Sequence, residues 1–435
     1  MSAAPIRPAT GPILAPVAAL LVSVGLLIMG NGLQSTLLPI RAGFEDFSAT
    51  DIGLLGSFYY IGFIAGCLAG PYIIMRAGHI RTFTALVALA SAAALAHPLA
   101  IDPVAWMMFR ALTGFCLAGL YLVIESWLNE RATNQTRGVV MSSYIVVNFS
   151  VITVGQLLVT LYEPTSFALF SLASILVSLA AVPVALTRSA QPAPITLVRF
   201  RPKKLFALSP AGAAGVLMIG VINGSFWSLG PFYARGTGLS VTATAIFMSV
   251  AVVGGALAQW PLGRISDRFD RRRVLLGICL ATAAASLGLT LLGGMSPAVQ
   301  LALGFLFGAT SLPGYAIAAA HTYDHADPSD YVEVSAGLLL LNGIGSAAGP
   351  IAAALLIGSY GPLGLFAFTC GVALALAAFV VTRLRARAPV PAAAKEDFDL
   401  ASTAAVVVAG DTEALEASPL VGTEEELKRE ADEAA

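Results

Sequence analysis

Long hydrophobic runs alternate with short polar connections along most of the chain. Seven stretches without Asp, Glu, Lys or Arg are long enough for one membrane crossing: 8–40, 52–75, 82–101, 138–162, 164–187, 205–234 and 236–263. Two more, 274–323 and 334–382, are about twice as long. Because a transmembrane helix needs roughly 20 apolar residues, each single stretch predicts one membrane-spanning helix.

The two long stretches predict two helices each, because turn-like clusters at 293–297 and 359–362 divide them. One further apolar stretch, about 104–128, contains Arg110 and Glu125 but no other charge. The pattern therefore predicts an all-α membrane protein with twelve transmembrane helices.

Composition supports the same class of protein. Of the 435 residues, 57% are hydrophobic and 11% are charged, whereas about a quarter of the residues in soluble domains are charged. A soluble globule cannot hide so much apolar surface, because part of any fold faces water. This argues against a cytosolic enzyme, a disordered scaffold and a nucleic-acid partner.

The net charge of −1 combines two opposite regions. Residues 1–390 contain 13 acids and 21 bases, whereas residues 391–435 contain 12 acids and 3 bases. In the basic body, 18 bases fall on the side of the N-terminus, only Arg41 and Arg235 fall on the other, and Arg110 lies within a predicted helix. The positive-inside rule then predicts a multi-pass membrane protein with both termini in the cytoplasm.

The body divides into two similar halves. A shift of 192 residues places Asn31 on Asn223, and a shift of 194 places Gly114 on Gly308. Two six-helix halves of the same orientation are typical of a large class of secondary transporters, whose substrate site lies between the halves. We predict five segments: a cytoplasmic N-terminus (1–11), a first half (12–187), a cytoplasmic linker (188–209), a second half (210–384) and an acidic, disordered tail (385–435).

The connection between the eighth and ninth predicted helices contains a specific motif. Residues 263–272 read GRISDRFDRR, which resembles the G-x-L-A-D-R-x-G-R-R motif of the major facilitator superfamily, with Asp270 in place of the second glycine. The connection 71–81 is a degraded copy that keeps Arg76. In the fourth helix, Arg110 to Gly114 is similar to the family's R-x-x-x-G motif.

The strings 124–126 (IES) and 259–264 (QWPLGR) look most like an uncharacterised bacterial subgroup typified by YcaD. The resemblance extends over about 12–385. It implies the major facilitator fold and a secondary transporter of the bacterial inner membrane, not an enzyme, that works by alternating access without a cofactor. The expected partners are a small-molecule substrate and membrane lipids, and we expect a monomer.

The loop motif and its copy are predicted to form a cytoplasmic gate from Gly263, Asp267, Arg268, Arg271 and Arg76. Asp267 can cap a neighbouring helix N-terminus. The arginines can form ion pairs that break as the halves rock, with candidate partners Glu130, Asp324, Asp327 and Asp330. The alternative is that the arginines only orient the protein and bind lipid headgroups, and we prefer this alternative for Arg272 and Arg273.

Two ionisable residues lie within predicted membrane helices, where they indicate function by default. Arg110 either binds an anionic group of the substrate, sets the protonation of a coupling site, or hydrogen-bonds Asn31 or Gln34. Glu125 either pairs with an arginine such as Arg131 or Arg137 as a gate strut, or carries a proton. Proton coupling stays open. Because 15 residues are four helical turns plus about 60°, Arg110 and Glu125 share a broad face of one helix.

Uncharged residues complete the predicted substrate site between the halves. Tyr121 lies between Arg110 and Glu125 on the shared face, and the other candidates are Asn31, Gln34, Asn223, Trp227 and Tyr315. The helix that contains Tyr315 is broken at Pro313-Gly314, which membrane helices tolerate beside a cavity. The alternative for each polar residue is a hydrogen bond between helices.

Rival functions have weaker support. A channel needs a continuous hydrophilic lining, and a membrane enzyme needs clustered catalytic or metal-binding groups. No metal site is expected, because the histidines lie at helix ends or loops, His321 and His325 among them. Gly155-Gln156 stands where many drug exporters have Gly-Pro. The preferred function is transport of a small organic solute, which is anionic if Arg110 binds it. The alternatives are a substrate-sensing receptor and a lipid or drug exporter of the same fold.

Overall fold

The computed structural model describes residues 17–131, 137–186, 201–327 and 330–386. The predictions for the N-terminus 1–11, for most of the linker and for nearly all of the acidic tail lie outside these residues. The side chains of Arg131 and Arg137 are also outside the described set.

The first half consists of helices joined by short connections. They are α1 (Ala18–Phe44), α2 (Ala49–Ala77), α3 (His79–Ala96), α4 (Pro103–Arg131), α5 (Arg137–Leu157), α6 (Phe167–Leu179) and the short α7 (Ala181–Ala185) that extends α6. Single 3-10 turns, His97–Leu99 and Leu158–Thr160, follow α3 and α5.

The second half repeats this order after a short helix of the linker. Its helices are α8 (Pro202–Leu208), α9 (Pro210–Gly236), α10 (Val241–Arg268), α11 (Arg271–Leu292), α12 (Pro297–Ser311), α13 (Gly314–Tyr323), α14 (Tyr331–Tyr360) and α15 (Gly364–Ala386). Among the residues that the structure describes, length and composition give eleven candidate spans, of which the last, Tyr331–Ala386, contains both α14 and α15. The predicted twelve-helix all-α fold is confirmed.

Local sequence signals define where several helices begin and break. Ser48 Oγ accepts from Asp51 N at 3.1 Å, and Asp51 Oδ2 accepts from Ser48 N at 3.0 Å, so a capping box opens α2. Ser240, its repeat partner, caps α10. The predicted break at Pro313 is confirmed, because α12 ends at Ser311 and α13 begins at Gly314.

The connections between helices define two ends of the bundle. The end that contains the connections α2–α3, α4–α5 and α10–α11 is called the basic end, because most of the basic residues lie there. The connections α1–α2 and α9–α10 lie at the opposite end. A single hydrophobic core joins both halves toward the opposite end, with Leu37 and Trp106 from the first half and Phe226 and Phe366 from the second. Two further cores lie toward the basic end, one in each half, except that Val252 joins the first-half core.

Candidate functional site

A cavity of about 110 Å³ lies between the halves. Helices α1, α2, α4 and α5 of the first half and α9 and α14 of the second half form its wall. Its polar and aromatic lining consists of Asn31, Gln34, Ser35, Tyr59, Tyr60, Phe63, Arg110, Tyr121, Trp227, Ser228 and Asn342. None of the described residues that line it is an acid, so Arg110 supplies the charge of this wall.

A glycine of the R-x-x-x-G motif brings the two most important helices of the wall together. A Cβ atom at Gly114 would collide with the backbone carbonyl oxygen of Tyr59. Because glycine has no Cβ, α4 approaches α2 closely enough for Arg110, one turn earlier, to reach the Tyr59 side chain. The motif therefore positions the cavity's charge as well as supplying it.

Arg110 is buried at the cavity wall, with its Cζ 4.3 Å from the centre of the Tyr59 ring. A guanidinium over an aromatic face is attracted by the ring's negative surface. Arg110 Nη1 is buried and donates no hydrogen bond to the described residues. The sequence alternative in which Arg110 bonds Asn31 or Gln34 is not seen among the described contacts.

Three amide oxygens of the cavity wall also lack partners among the described residues: Asn31 Oδ1, Gln34 Oε1 and Asn342 Oδ1. A buried carbonyl without a donor costs about 1–3 kcal/mol. The wall therefore offers one cationic donor and three acceptors to a bound molecule.

The structure brings together five of the eight predicted substrate or coupling residues, namely Asn31, Gln34, Arg110, Tyr121 and Trp227. Asn223 and Tyr315 are buried but do not line the cavity. Asn223 Nδ2 lies 3.5 Å from the Ser311 carbonyl oxygen at the end of α12, where Pro313 interrupts the helix. Tyr315 packs in the core of the second half. The Asn223 contact matches the alternative of a hydrogen bond between helices.

Glu125 is buried in α4, nearer the basic end than the cavity, and does not line it. Tyr144 of α5 donates its hydroxyl to Glu125 Oε1 at 3.5 Å. The proposed strut partners Arg131 and Arg137 lie outside the described side chains. The shared face of α4 is therefore split between two environments, a cavity around Arg110 and a helix–helix contact around Glu125.

The loop motif ties the helix ends of the second half together. Arg271 is 1% exposed, and it pairs with Asp324 at 2.8 Å and with Asp267 at 3.2 Å. Gly263 is buried near the end of α10, whereas Arg268 and Arg76 are exposed and form no ion pair with another described side chain. The described pairs of the motif lie within one half, and their separation during transport stays a prediction.

Asp270, the residue that departs from the family motif, is the N-cap of α11 and accepts from Arg272 N at 3.0 Å. Its carboxylate also pairs with Arg272 Nη2 at 2.8 Å, and Arg272 Nη1 donates to the Arg383 carbonyl oxygen at 3.1 Å. The preference for a role of Arg272 in orientation and headgroup binding alone is therefore wrong. A buried arginine links α11 to α15.

The sequence did not predict Tyr59, Tyr60 and Phe63 of α2 as residues of the site. These side chains carry no charge and lie in the charge-free stretch 52–75. The adjacent tyrosines 59 and 60 at membrane depth are the signal in the sequence that could have indicated them. The glycine contact between α2 and α4 explains their position beside Arg110.

The comparisons with known proteins agree on the family. The model of the Major Facilitator Superfamily matches residues 20–326 and 212–423. A protein of Escherichia fergusonii and one of Salmonella heidelberg (strain SL476), both named uncharacterized MFS-type transporter YcaD, are 28% and 26% identical to this chain. Each match covers 82% of this chain and 93% of the relative.

Solved structures share the fold at low sequence identity. The nucleoside transporter NupG has a TM-score of 0.71 at 13% identity, and the match covers 85% of this chain and 98% of NupG. A bacterial homolog of the human lysosomal transporter Spinster, in an inward-facing and occupied conformation, has a TM-score of 0.69 at 15% identity, with 87% and 97% covered. At these identities the similarity establishes the architecture alone.

Proposed function

Because the chain belongs to the major facilitator superfamily, we propose that it is a secondary transporter that moves a small organic anion across the bacterial inner membrane by alternating access. The observation that supports an anionic substrate is Arg110, a buried guanidinium at the wall of the cavity between the halves. The family supports a transporter that is not an enzyme.

The buried charge of Arg110 favours a substrate that compensates it. A cation at membrane depth is unfavourable unless an anion or polar group compensates it. Tyr59 offers its ring face, but no described carboxylate lines the cavity. A carboxylate on the substrate would provide the missing charge and accept from Nη1. Charge-assisted hydrogen bonds of this kind are about twice as strong as neutral ones.

The rest of the wall limits the shape of the substrate. The cavity of about 110 Å³ is smaller than the roughly 300–1,000 Å³ of drug-sized pockets. The amide oxygens of Asn31, Gln34 and Asn342 favour hydroxyl or N–H groups on the ligand. Trp227 and Tyr60 offer apolar faces. These features favour a small acid with additional donors over a large apolar drug.

The arrangement of the halves supports alternating access. Ser249 Oγ of α10 donates to Gln156 Oε1 of α5 at 3.3 Å, and Arg235 lies over the Phe44 ring at 5.7 Å. Both contacts cross between the halves toward the opposite end. If the basic end faces the cytoplasm, as the positive-inside rule predicts, these contacts close the periplasmic side.

A ligand screen tests the anionic substrate. Purified protein is heated with small organic acids and with their matched amides, and the midpoint of unfolding is recorded for wild type and Arg110→Gln. We expect some acids to raise the midpoint of the wild type, because a ligand that binds only the folded state stabilises it. Their amides should not, and Arg110→Gln should lose the response.

The matched control is Arg264→Gln, because Arg264 is exposed and stacks on Trp260 away from the cavity. It should respond like the wild type. Amides that stabilise as well as acids, or acids that still stabilise Arg110→Gln, would overturn the anionic substrate.

A further inference from the structure

A second cavity, of about 210 Å³, lies at the basic end of the second half, far from the site between the halves. It is bounded by the end of α8, the start of α9, the start of α11, the end of α13 and the end of α15. Its polar and charged side chains are those of Ser209, Arg272, His321, His325 and Arg383. It shares Arg272 with the loop motif, but it shares no lining residue with the cavity between the halves.

The lining of this second cavity is basic. Arg383 lies with its Cζ 5.0 Å from the centre of the Phe379 ring, which holds the guanidinium in place. Arg383 Nε is buried and has no hydrogen-bond partner among the described residues, and no described carboxylate pairs with this side chain. Arg383 is therefore a fixed cation with unused donor capacity.

Two histidines form the adjacent wall. His321 is buried in the last turn of α13, at a helix end as predicted. His325 Nδ1 lies 2.9 Å from the His321 carbonyl oxygen, and the two rings meet edge to face at 4.7 Å. This contact fixes the orientation of the His325 ring at the cavity wall.

The start of α9 adds a partial positive charge. Ser209 is the N-cap of this 27-residue helix, and Ser209, Pro210 and Ala211 line the cavity. The first residue of this helix, Pro210, has no N–H group, and the Gly212 N–H group donates to Ser209 Oγ at 3.2 Å, so the Ala211 N–H group is the donor left at the helix start. The positive end of the helix dipole also favours an anion there.

The nearby acids are engaged elsewhere. Asp270 pairs with Arg272, and Asp324 pairs with Arg271. Neither acid lines the cavity. Asp270 largely balances Arg272, and so Arg383 and the α9 N-terminus supply the remaining positive field.

We propose that this cavity, between α9, α13 and α15, is a binding site for a phosphate group. Arginine matches phosphate oxygens with its planar fork of donors, and helix N-termini bind phosphate through backbone N–H groups. Basic pockets between membrane helices on the cytoplasmic side also hold phospholipid headgroups. The same chemistry fits the headgroup of an anionic lipid or a free phosphate, and the volume suits a group of that size.

Two measurements on the full-length protein distinguish these sources. In the first, the unfolding midpoint is followed as inorganic phosphate is added, against potassium chloride of equal ionic strength. In the second, the protein is reconstituted into nanodiscs of phosphatidylcholine with or without phosphatidylglycerol, and the lipids it retains are identified by native mass spectrometry. Wild type is compared with Arg383→Gln and Arg383→Lys.

Arg385→Gln is the matched control, because Arg385 is exposed on the same helix and does not line the cavity. Saturable stabilisation by phosphate indicates a free anion, whereas retention of phosphatidylglycerol without a phosphate effect indicates a headgroup. In either case Arg383→Gln should weaken binding at least about tenfold, Arg383→Lys should weaken it less, and Arg385→Gln should match wild type. No binding of either probe, or equal binding by Arg383→Gln, would overturn the proposal.

Discussion

Arg110 and Tyr59 illustrate how a single charge is maintained at membrane depth. The guanidinium rests on the ring, so replacing the ring should change ligand binding without removing the charge. We expect Tyr59→Leu to weaken binding of a stabilising acid by about 2- to 30-fold, the range of a cation–π contact of roughly 0.5–2 kcal/mol. Tyr59→Phe keeps the aromatic face and should stay closer to wild type in the same titration.

Glu125 separates two coupling models. If Glu125 carries a proton, Glu125→Gln should abolish uptake driven by a pH gradient while exchange of labelled for unlabelled substrate continues, because exchange needs no net proton movement. If Glu125 is a strut, the same variant should slow both reactions. Parallel assays in proteoliposomes distinguish these outcomes, and unchanged gradient-driven uptake would exclude the carrier.

Asp270 predicts a pH-dependent stability at the basic end. Burial tends to raise the pKa of its carboxyl group, but the hydrogen bonds and charge of Arg272 outweigh this and hold the pKa below its ordinary value. A carboxylate with a lowered pKa stabilises the fold above its unfolded pKa of about 3.9, and the contribution is lost as the pH falls through the folded pKa.

Asp270→Asn keeps an N-cap residue but removes the charge. Its unfolding midpoint should therefore lie below that of wild type at pH 7, and the difference should shrink as the pH falls below about 4. Thermal unfolding in detergent across this pH range checks the expectation. A difference that grows toward low pH would contradict it.

At the scale of elements, the contact between α2 and α4 depends on Gly114. Gly114→Ala should destabilise the protein by about 1–3 kcal/mol, as overpacking does, because the added methyl group meets the Tyr59 carbonyl. Gly277→Ala in α11 is the control, since a Cβ atom there meets nothing within 4 Å. Chemical unfolding should show the control to be neutral or slightly stabilised by its better helix propensity. Equal effects at both sites would contradict the packing argument.

The helices themselves could be predicted because their signals are local. Charge-free runs gave the crossings, Ser48 and Asp51 marked the start of α2, and Pro313 marked the break before α13. Asn31 and Asn223 show the limit of the repeat. They occupy equivalent positions, yet Asn31 lines the cavity whereas Asn223 lies beside a carbonyl exposed by the break in the second half.

The missed parts of the site depend on contacts between elements. A helical wheel places Arg110 and Glu125 on one broad face, but it does not say that α2 covers part of that face and α5 another. The sequence did not reveal the role of Arg272 for a similar reason. Asp270 is close to it in the sequence, but its second partner is a backbone carbonyl oxygen at the end of α15.

For the whole molecule, alternating access requires the Gln156–Ser249 contact between the halves to open. In a chain whose four native cysteines are replaced by serine, Gln156→Cys with Ser249→Cys should allow a short bifunctional thiol reagent to link the halves. The link should block transport because one end can no longer open.

The control pair is Ser286→Cys with Thr369→Cys, because these hydroxyls lie 3.1 Å apart within the second half. Linking this pair should leave transport largely intact. If transport continues when the cysteines at positions 156 and 249 are fully linked, the halves do not need to open at that end, and the prediction is wrong.

The most direct test of the central claim is exchange transport in proteoliposomes, using the acid that stabilises the wild-type protein most in the thermal screen. We expect saturable uptake of the labelled acid by wild type and by Arg264→Gln, and loss of uptake in Arg110→Gln that still reconstitutes normally. Uptake that does not saturate, that matches empty liposomes, or that continues in Arg110→Gln would contradict it.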